Sequence, residues 1–173
     1  MQYDKQNFLK DFINRTLINL EYIQQAEKQG KEVYEVTQLV NSCLGLIVFL
    51  QQYGDELITD ADICPIFLKE LKESVIENTY TKDKKKDRRE ANFNNILYHL
   101  RNAISHGKLD FKNEEHNGQM QICSIEFEDK RKKEGKTEKF IIKLSIEQIE
   151  KLAKCIIRNL RLLCKKVIGK SVN

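Results

Sequence analysis

Apolar residues recur at intervals of three and four over most of the chain, which places them on one face of an α-helix. Pro65, the only proline, fits the first turn of one such helix. Ser145, with Gln148 three residues later, forms a capping box that opens the last one. The pattern predicts about five helices, at approximately 5–28, 33–52, 65–78, 91–107 and 145–167.

The apolar period changes to two between about residues 120 and 144. The alternating apolar positions are Cys123, Ile125 and Phe127, followed by Phe140, Ile142 and Leu144. The polar segment DKRKKEGKTEK joins them, which predicts a β-hairpin with a long basic loop. We therefore expect a mainly α fold in a single domain, 1–173, as a bundle of about five helices with a small β-hairpin inserted at about 120–144.

The predicted helix at 91–107, ANFNNILYHLRNAISHG, carries almost no charge. Arg101 is its only residue from the Asp, Glu, Lys and Arg set, although 32% of the chain is charged. Its apolar stripe is formed by Phe93, Ile96, Leu97, Leu100 and Ile104. Opposite the stripe lies a polar face of Asn95, His99, Asn102 and His106. A polar face with so little charge favours contact with a partner or a substrate over contact with bulk water.

The end of this helix combines an arginine with a histidine. Gly107 is typical of the residue that follows a helix, so His106 falls in the last turn, where the helix dipole favours imidazolium. Arg101 has no acidic residue three or four positions away with which to pair. A guanidinium beside a side chain that exchanges protons near neutral pH suits the binding of a phosphate.

The net charge of +4 neither requires nor excludes a nucleic-acid partner. The basic residues form two clusters, at 82–89 and at 130–133. Each is interpreted either as a solvated loop or as an electrostatic guide for a polyanion.

The five cysteines are widely spaced, and those in apolar helical patterns, Cys43, Cys155 and Cys164, are interpreted as buried free thiols. No CxxC or HxxxH pattern occurs, so we expect neither a zinc site nor a cofactor. There is no run of 18 apolar residues, and MQYDKQNFLKDF lacks the apolar segment of a signal peptide. We expect a cytoplasmic protein with no membrane partner.

The segment HLRNAISHGKLDF resembles the RxxxxH signature of HEPN (higher eukaryotes and prokaryotes nucleotide-binding) domains, with Arg101 and His106 separated by four residues. Asn102 follows the arginine, where many of these domains have Asn, Asp or His. The upstream helix YEVTQLVNSCLGLIVF and the hairpin that leads to LSIEQI are similar to short stand-alone prokaryotic HEPN proteins. The resemblance covers about residues 7–165 and implies an HEPN-like helical bundle.

The resemblance implies a metal-independent endoribonuclease that forms a homodimer, with two motif helices facing each other across an RNA-binding cleft. His106 would transfer a proton to or from the ribose oxygens, and Arg101 would bind the scissile phosphate. The expected product ends in a 2′,3′-cyclic phosphate. Asn102 would orient His106 or the phosphate, and Ser105 would add a hydrogen bond.

Two more residues of the helix are candidates under the same resemblance. His99 would line the cleft or the dimer seam, or have a structural role. Tyr98 would stack on a base, or pack at a helix interface. Some HEPN toxins carry a tyrosine, two positions after the motif histidine, that a partner nucleotidyltransferase modifies. Lys108 stands there in this chain, so we do not expect regulation by that route.

The implied biological role is a toxin or phage-defence effector, with an antitoxin or a defence-system protein as partner. Two alternatives remain open. In the first, the protein is a non-catalytic HEPN module that binds a nucleotide or RNA through the same cleft. In the second, it is a dimeric scaffold in which the polar face only joins two copies.

Overall fold

The computed structural model describes residues 8–54, 59–81, 89–116 and 118–169. Within these ranges it contains five α-helices, one 3₁₀ turn (Asp60–Asp62) and four β-strands. The helices are α1 (Phe8–Lys28), α2 (Glu35–Gly54), α3 (Pro65–Glu73), α4 (Phe93–Ser105) and α5 (Ile146–Gly169). The strands are β1 (Val75–Asn78), β2 (Leu109–His116), β3 (Gln119–Lys133) and β4 (Lys136–Ser145). They form one antiparallel sheet in the order β1-β4-β3-β2, so the fold is α+β.

The prediction of a mainly α bundle with a small hairpin is therefore wrong. The predicted third helix ends early, at Glu73, and its last residues form β1, which pairs with β4 through Val75 and Ile142. Residues 112–116, whose composition is typical of a turn, also form strand, because β2 pairs with β3 as far as His116 and Gln119. In both places pairing with a neighbouring strand overrides a weak local pattern.

The basic connection that was predicted as a long loop is also mostly strand. β3 runs through the second basic cluster, 130–133, and pairs with β4 as far as Lys133 and Lys136. Only Glu134 and Gly135 form the turn, with φ of 52° and 77°. A two-residue hairpin turn of this kind requires positive φ at both positions. The first basic cluster lies outside the described residues except for Arg89.

The chain forms two compact units, one of residues 1–57 with 150–173, the other of residues 58–149. In the first unit α1 packs on α2, and a Cβ atom on Gly45 would lie 2.9 Å from Phe12 Cζ. The described helices include none that is long and apolar enough to cross a membrane. That all of residues 1–173 form a single domain remains a prediction.

The second unit contains the 3₁₀ turn, α3, α4 and the sheet. Helix α4 lies against β3, and the predicted apolar stripe is confirmed, since four of its five residues are buried. Side chains of this size each contribute about 1.5–3 kcal/mol when fully buried. The apolar residues buried on β3 and β4 include Ile125, Phe127, Phe140, Ile142 and Leu144. The capping box is also confirmed, because the backbone N–H of Ser145 donates to Gln148 and that of Gln148 donates to Ser145.

Candidate functional site

Helix α4 is fixed at its start by two side chains that accept hydrogen bonds from its first turn. Asn92 is the N-cap, and its Oδ1 accepts from the backbone N–H of Asn95 at 2.9 Å. The Oδ1 atom of Asp60, in the 3₁₀ turn, accepts from the backbone N–H of Phe93 at 2.8 Å. Both contacts satisfy donors that the helix itself leaves without partners, and the Asp60 carboxylate also complements the helix dipole.

The other end of α4 closes with a Schellman motif. The backbone N–H of Gly107 donates to the carbonyl of Ile104 at 3.1 Å, and that of Lys108 donates to Ala103 at 2.9 Å. Gly107 has a φ of 63°, as the residue after the C-cap of such a motif requires. His106 is the C-cap, and its backbone N–H donates to the carbonyl of Asn102. Backbone groups therefore close the helix without the His106 imidazole.

Three of the motif residues are on the surface of this helix end. Arg101, Ser105 and His106 are exposed, and Asn102 is half-buried. Nη1 of Arg101 donates to Oδ1 of Asn102 at 3.0 Å. Within the part of the chain that the structure describes, no carboxylate forms an ion pair with Arg101. The guanidinium charge is therefore not neutralised by a described residue.

The polar face opposite the apolar stripe is only partly a surface. Asn95 is 4% exposed and His99 is 1% exposed. Nδ2 of Asn95 donates to the carbonyl of Glu90 at 2.8 Å. The His99 ring stacks on Phe140 with centroids 4.1 Å apart and an interplanar angle of 13°. The first half of this face serves the interior of the protein, which favours the structural alternative for His99.

A buried carboxylate on β3 meets this face. Oδ2 of Asp129 lies 2.7 Å from Nδ1 of His99 and 3.2 Å from Nδ2 of Asn102, and Tyr80 also donates a hydrogen bond to Asp129. Burial raises the pKa of Asp129, but the hydrogen bonds from His99, Asn102 and Tyr80 outweigh it and lower that pKa below its ordinary value. Since an ionised carboxylate only accepts hydrogen bonds, Nδ1 of His99 carries a proton.

Asp129 was missed by sequence reasoning, which placed it in the predicted basic loop. The signal was present in the alternation of β3. One further step of two residues beyond Ile125 and Phe127 reaches Asp129 on the same face. The structure thus joins Arg101, Asn102, Asp129 and His99 in one chain of hydrogen bonds, which we call the Asp129 network.

Tyr98, the remaining candidate, is half-buried. Its ring meets that of His99 edge-on, with centroids 5.1 Å apart and an interplanar angle of 79°. Contact with a base remains a prediction for Tyr98, as do the predicted roles of Ser105 and Asn102.

A second buried carboxylate, Glu138 on β4, is 3% exposed and opposes Arg131 in the strand register. Its Oε2 accepts from Nε of Arg131 at 2.6 Å, and its Oε1 accepts from the backbone N–H of Thr81 at 3.0 Å and from the Thr81 hydroxyl. The Thr81 hydroxyl, followed by Arg131, lowers the pKa of Glu138 to about 2. Glu138 therefore stays ionised, held by partners other than Asn102.

Groups of three or more His, Cys, Asp and Glu side chains that could hold a metal ion do not occur among the described residues. An exposed guanidinium can bind the oxygens of a phosphate, and an exposed imidazole can transfer a proton.

Comparison with known proteins identifies a family to which most of the chain is similar. Residues 1–161 match the family model described as HEPN pEK499 p136. Neither the curated proteins nor the solved structures contain a match to this chain.

Proposed function

The chain belongs to the HEPN pEK499 p136 family, whose superfamily has nucleotide- and RNA-related functions, and on this basis we propose that it is a metal-independent endoribonuclease. The observation that supports the proposal concerns two side chains at the C-terminal end of α4. Arg101 and His106 are both exposed there, and the charge of Arg101 is not neutralised by a described carboxylate.

The proposed reaction uses the ribose 2′-hydroxyl as nucleophile. The neutral imidazole of His106 accepts the 2′-hydroxyl proton while the 2′-oxygen bonds to phosphorus. The bond from phosphorus to the 5′-oxygen breaks, and an imidazolium donates a proton to that oxygen. The products carry a 2′,3′-cyclic phosphate and a 5′-hydroxyl. A positioned acid or base contributes roughly 10²–10⁴-fold to such a step.

Arg101 has the second role in this proposal. Its guanidinium binds the non-bridging oxygens of the scissile phosphate, where negative charge increases in the transition state. Of the five N–H donors of an arginine, the Asn102 amide takes one, and planar pairs of donors match phosphate oxygens. Ser105 and Tyr98 contribute a hydrogen bond and a stacking surface for the RNA.

We place the reaction at the interface of a homodimer. One copy of α4 exposes one histidine, His106, because His99 is buried. A step that needs a base and an acid together is completed when two copies supply one imidazole each. The cellular role that we propose is that of a cytoplasmic toxin or phage-defence effector, which an antitoxin or a defence-system partner inhibits.

A non-catalytic module is the second candidate function. The burial of His99 favours it, because a surface with a single arginine and a single histidine is enough to bind a nucleotide or RNA. Such a module binds RNA without cleaving it, or serves as a dimeric scaffold.

One experiment separates these functions. Purified wild type, Arg101→Ala, His106→Ala and the control Lys108→Ala, which alters the exposed residue after the helix end, are incubated with mixed RNA in EDTA. The 3′ ends of any product are then determined. We expect cleavage by wild type and Lys108→Ala alone, with 2′,3′-cyclic phosphate ends. RNA binding without cleavage by wild type would favour the module. Loss of cleavage in EDTA with recovery in Mg²⁺ would contradict the metal-independent mechanism.

A further inference from the structure

We propose that Asp129 is a positioning residue of this site, which fixes the direction of the Arg101 guanidinium through the side chain of Asn102. Its catalytic consequence rests on the proposed ribonuclease function. Its structural part, the orientation of Arg101, does not. Asp129 contributes from β3, outside the helix that carries the RxxxxH segment.

The direction of each hydrogen bond is determined by chemistry. A carboxylate only accepts, so the Asn102 amide turns its Nδ2 to Asp129, at 3.2 Å. That choice leaves Oδ1 of Asn102 facing the other way, where it accepts from Nη1 of Arg101 at 3.0 Å. A guanidinium only donates, so the amide in this orientation is a matched partner for Arg101. Reversing the amide would place its Nδ2 donor against the Arg101 guanidinium and its Oδ1 acceptor against the Asp129 carboxylate.

Asp129 is itself held firmly enough to act as a reference point. It is 6% exposed, at an inward position of β3 where the strand pairs with β4 through Phe140, two residues beyond the last pair with β2 at Phe127. His99, on α4, and Tyr80, just after β1, donate to its carboxylate from two different parts of the chain. The exposed Arg101 thus takes its direction from the sheet, and displacement of a catalytic group by about 1 Å can cost roughly 10²-fold in rate.

The simpler explanation is that Asp129 only joins α4 to β3 through His99. That role predicts a loss of stability with unchanged activity per folded molecule. The positioning role predicts a loss of kcat as well, and it predicts that the loss passes through Asn102. The two explanations therefore differ in measurements other than stability.

The variants are Asp129→Ala, Asp129→Asn and Glu138→Ala. Asp129→Ala removes the acceptor for Asn102, and Asp129→Asn keeps an oxygen there. Glu138→Ala is the matched control, since it removes a buried carboxylate on the adjacent strand that bonds to Arg131 and Thr81 and not to Asn102. With RNA at saturation, we expect kcat per folded molecule to fall roughly 10- to 100-fold in Asp129→Ala. It should recover to within a few-fold of wild type in Asp129→Asn and stay unchanged in Glu138→Ala.

A double-mutant cycle tests whether Asp129 acts on Arg101 through Asn102. In an Asn102→Ala background, Asp129→Ala should lower kcat no further, because the link to Arg101 is already cut. Additive losses from the two substitutions would overturn the proposal. If Asp129→Ala does not fold, Asn102→Ala alone should show the same 10- to 100-fold loss, and wild-type kcat in that variant would overturn it.

A measurement without RNA separates this proposal from the ribonuclease proposal. The ¹⁵N–¹H heteronuclear NOE of the Arg101 Nε–H group, assigned with an Arg101→Lys variant, reports how restricted the guanidinium is. We expect restriction in wild type and Glu138→Ala, and greater motion in Asn102→Ala and Asp129→Ala. Equal values in wild type and Asn102→Ala would overturn the positioning role, even if RNA is cleaved. If wild type cleaves no RNA, the ribonuclease proposal fails while this comparison still decides the orientation of Arg101.

Discussion

Nδ1 of His99 lies 2.7 Å from Oδ2 of Asp129, in a contact that joins helix α4 to strand β3 across 30 positions of the chain. Both side chains are buried, and the other side of the histidine is covered by the ring of Phe140. His99 is thus held by a carboxylate at its edge and an aromatic ring on its face. This places His99 in the interior of the protein and not on its surface.

The contact predicts that His99→Phe is destabilising. Phenylalanine keeps a ring on Phe140 but removes one of the donors to the buried carboxylate of Asp129. We expect the free energy of unfolding to fall by about 1–3 kcal/mol, measured by urea denaturation. His106→Phe, at the exposed histidine of the same helix, should change it by no more than about 0.5 kcal/mol. Equal stability of His99→Phe and wild type would contradict the role of this contact.

A comparison of Arg101→Lys with Arg101→Ala tests what the guanidinium contributes. Lysine keeps the charge but cannot present two parallel donors to a phosphate. We expect kcat/KM on RNA to fall roughly 10²–10³-fold in Arg101→Ala. Arg101→Lys should recover only part of this loss. Full activity of Arg101→Lys would show that positive charge alone is sufficient, and the exposed position predicts wild-type stability for both variants.

Gly107→Ala should affect both stability and activity. Its φ of 63° is strained for alanine, and a Cβ there would meet no atom within 4 Å, so the cost of about 1 kcal/mol comes from the backbone alone. Gly30→Ala is a matched control, because Gly30 follows α1 with a φ of 71° and the same pattern of closing hydrogen bonds.

Both glycine variants should lose similar stability in urea. Only Gly107→Ala should also lower kcat/KM per folded molecule, by several-fold, because the residue before Gly107 is His106. Equal activity of the two variants would show that the backbone at the end of α4 does not determine the position of the imidazole.

The pKa of Glu138 predicts how stability changes in acid. Its folded-state pKa, about 2, lies below the ordinary value of 4.5, so its contribution to stability is fully present above about pH 4.5. That contribution should be lost as the pH falls from 4.5 towards 2. Urea denaturation at several pH values should show this decline, and Glu138→Gln should be less stable at pH 6 with a shallower dependence below pH 4.5. Parallel curves for the two proteins would contradict the assignment to Glu138.

The sequence was sufficient to predict α4 and the glycine that ends it, although the helix begins at Phe93 and not at residue 91. The apolar stripe of Phe93, Ile96, Leu97 and Leu100 is a local property of one helix, and so is the glycine that ends it. Such features depend on neighbouring residues, and the structure confirms both.

The sheet could not be predicted in the same way because its strands are determined by their pairing with one another and not by neighbouring residues alone. β1 is only four residues long and is a strand because β4 lies beside it. β3 extends to Lys133 because a turn of two residues allows the basic ends of the hairpin to pair. Asp129 was missed for the same reason. From the sequence alone, a carboxylate among basic residues is interpreted as part of a solvated loop. Only the knowledge that β3 continues through residue 129 places Asp129 on the inner face of the sheet.

Asn102 and Asp129 are 27 positions apart in the chain, so the ribosome makes the RxxxxH segment before it makes the carboxylate that Asn102 contacts. A nascent chain that ends before residue 129 already contains the complete RxxxxH segment, but His99 and Asn102 have no carboxylate to meet. Burying their polar groups without that partner is unfavourable. Helix α4 therefore cannot form these contacts by itself. We therefore expect its polar surface to become ordered only when β3, a later part of the same polypeptide, has joined the sheet.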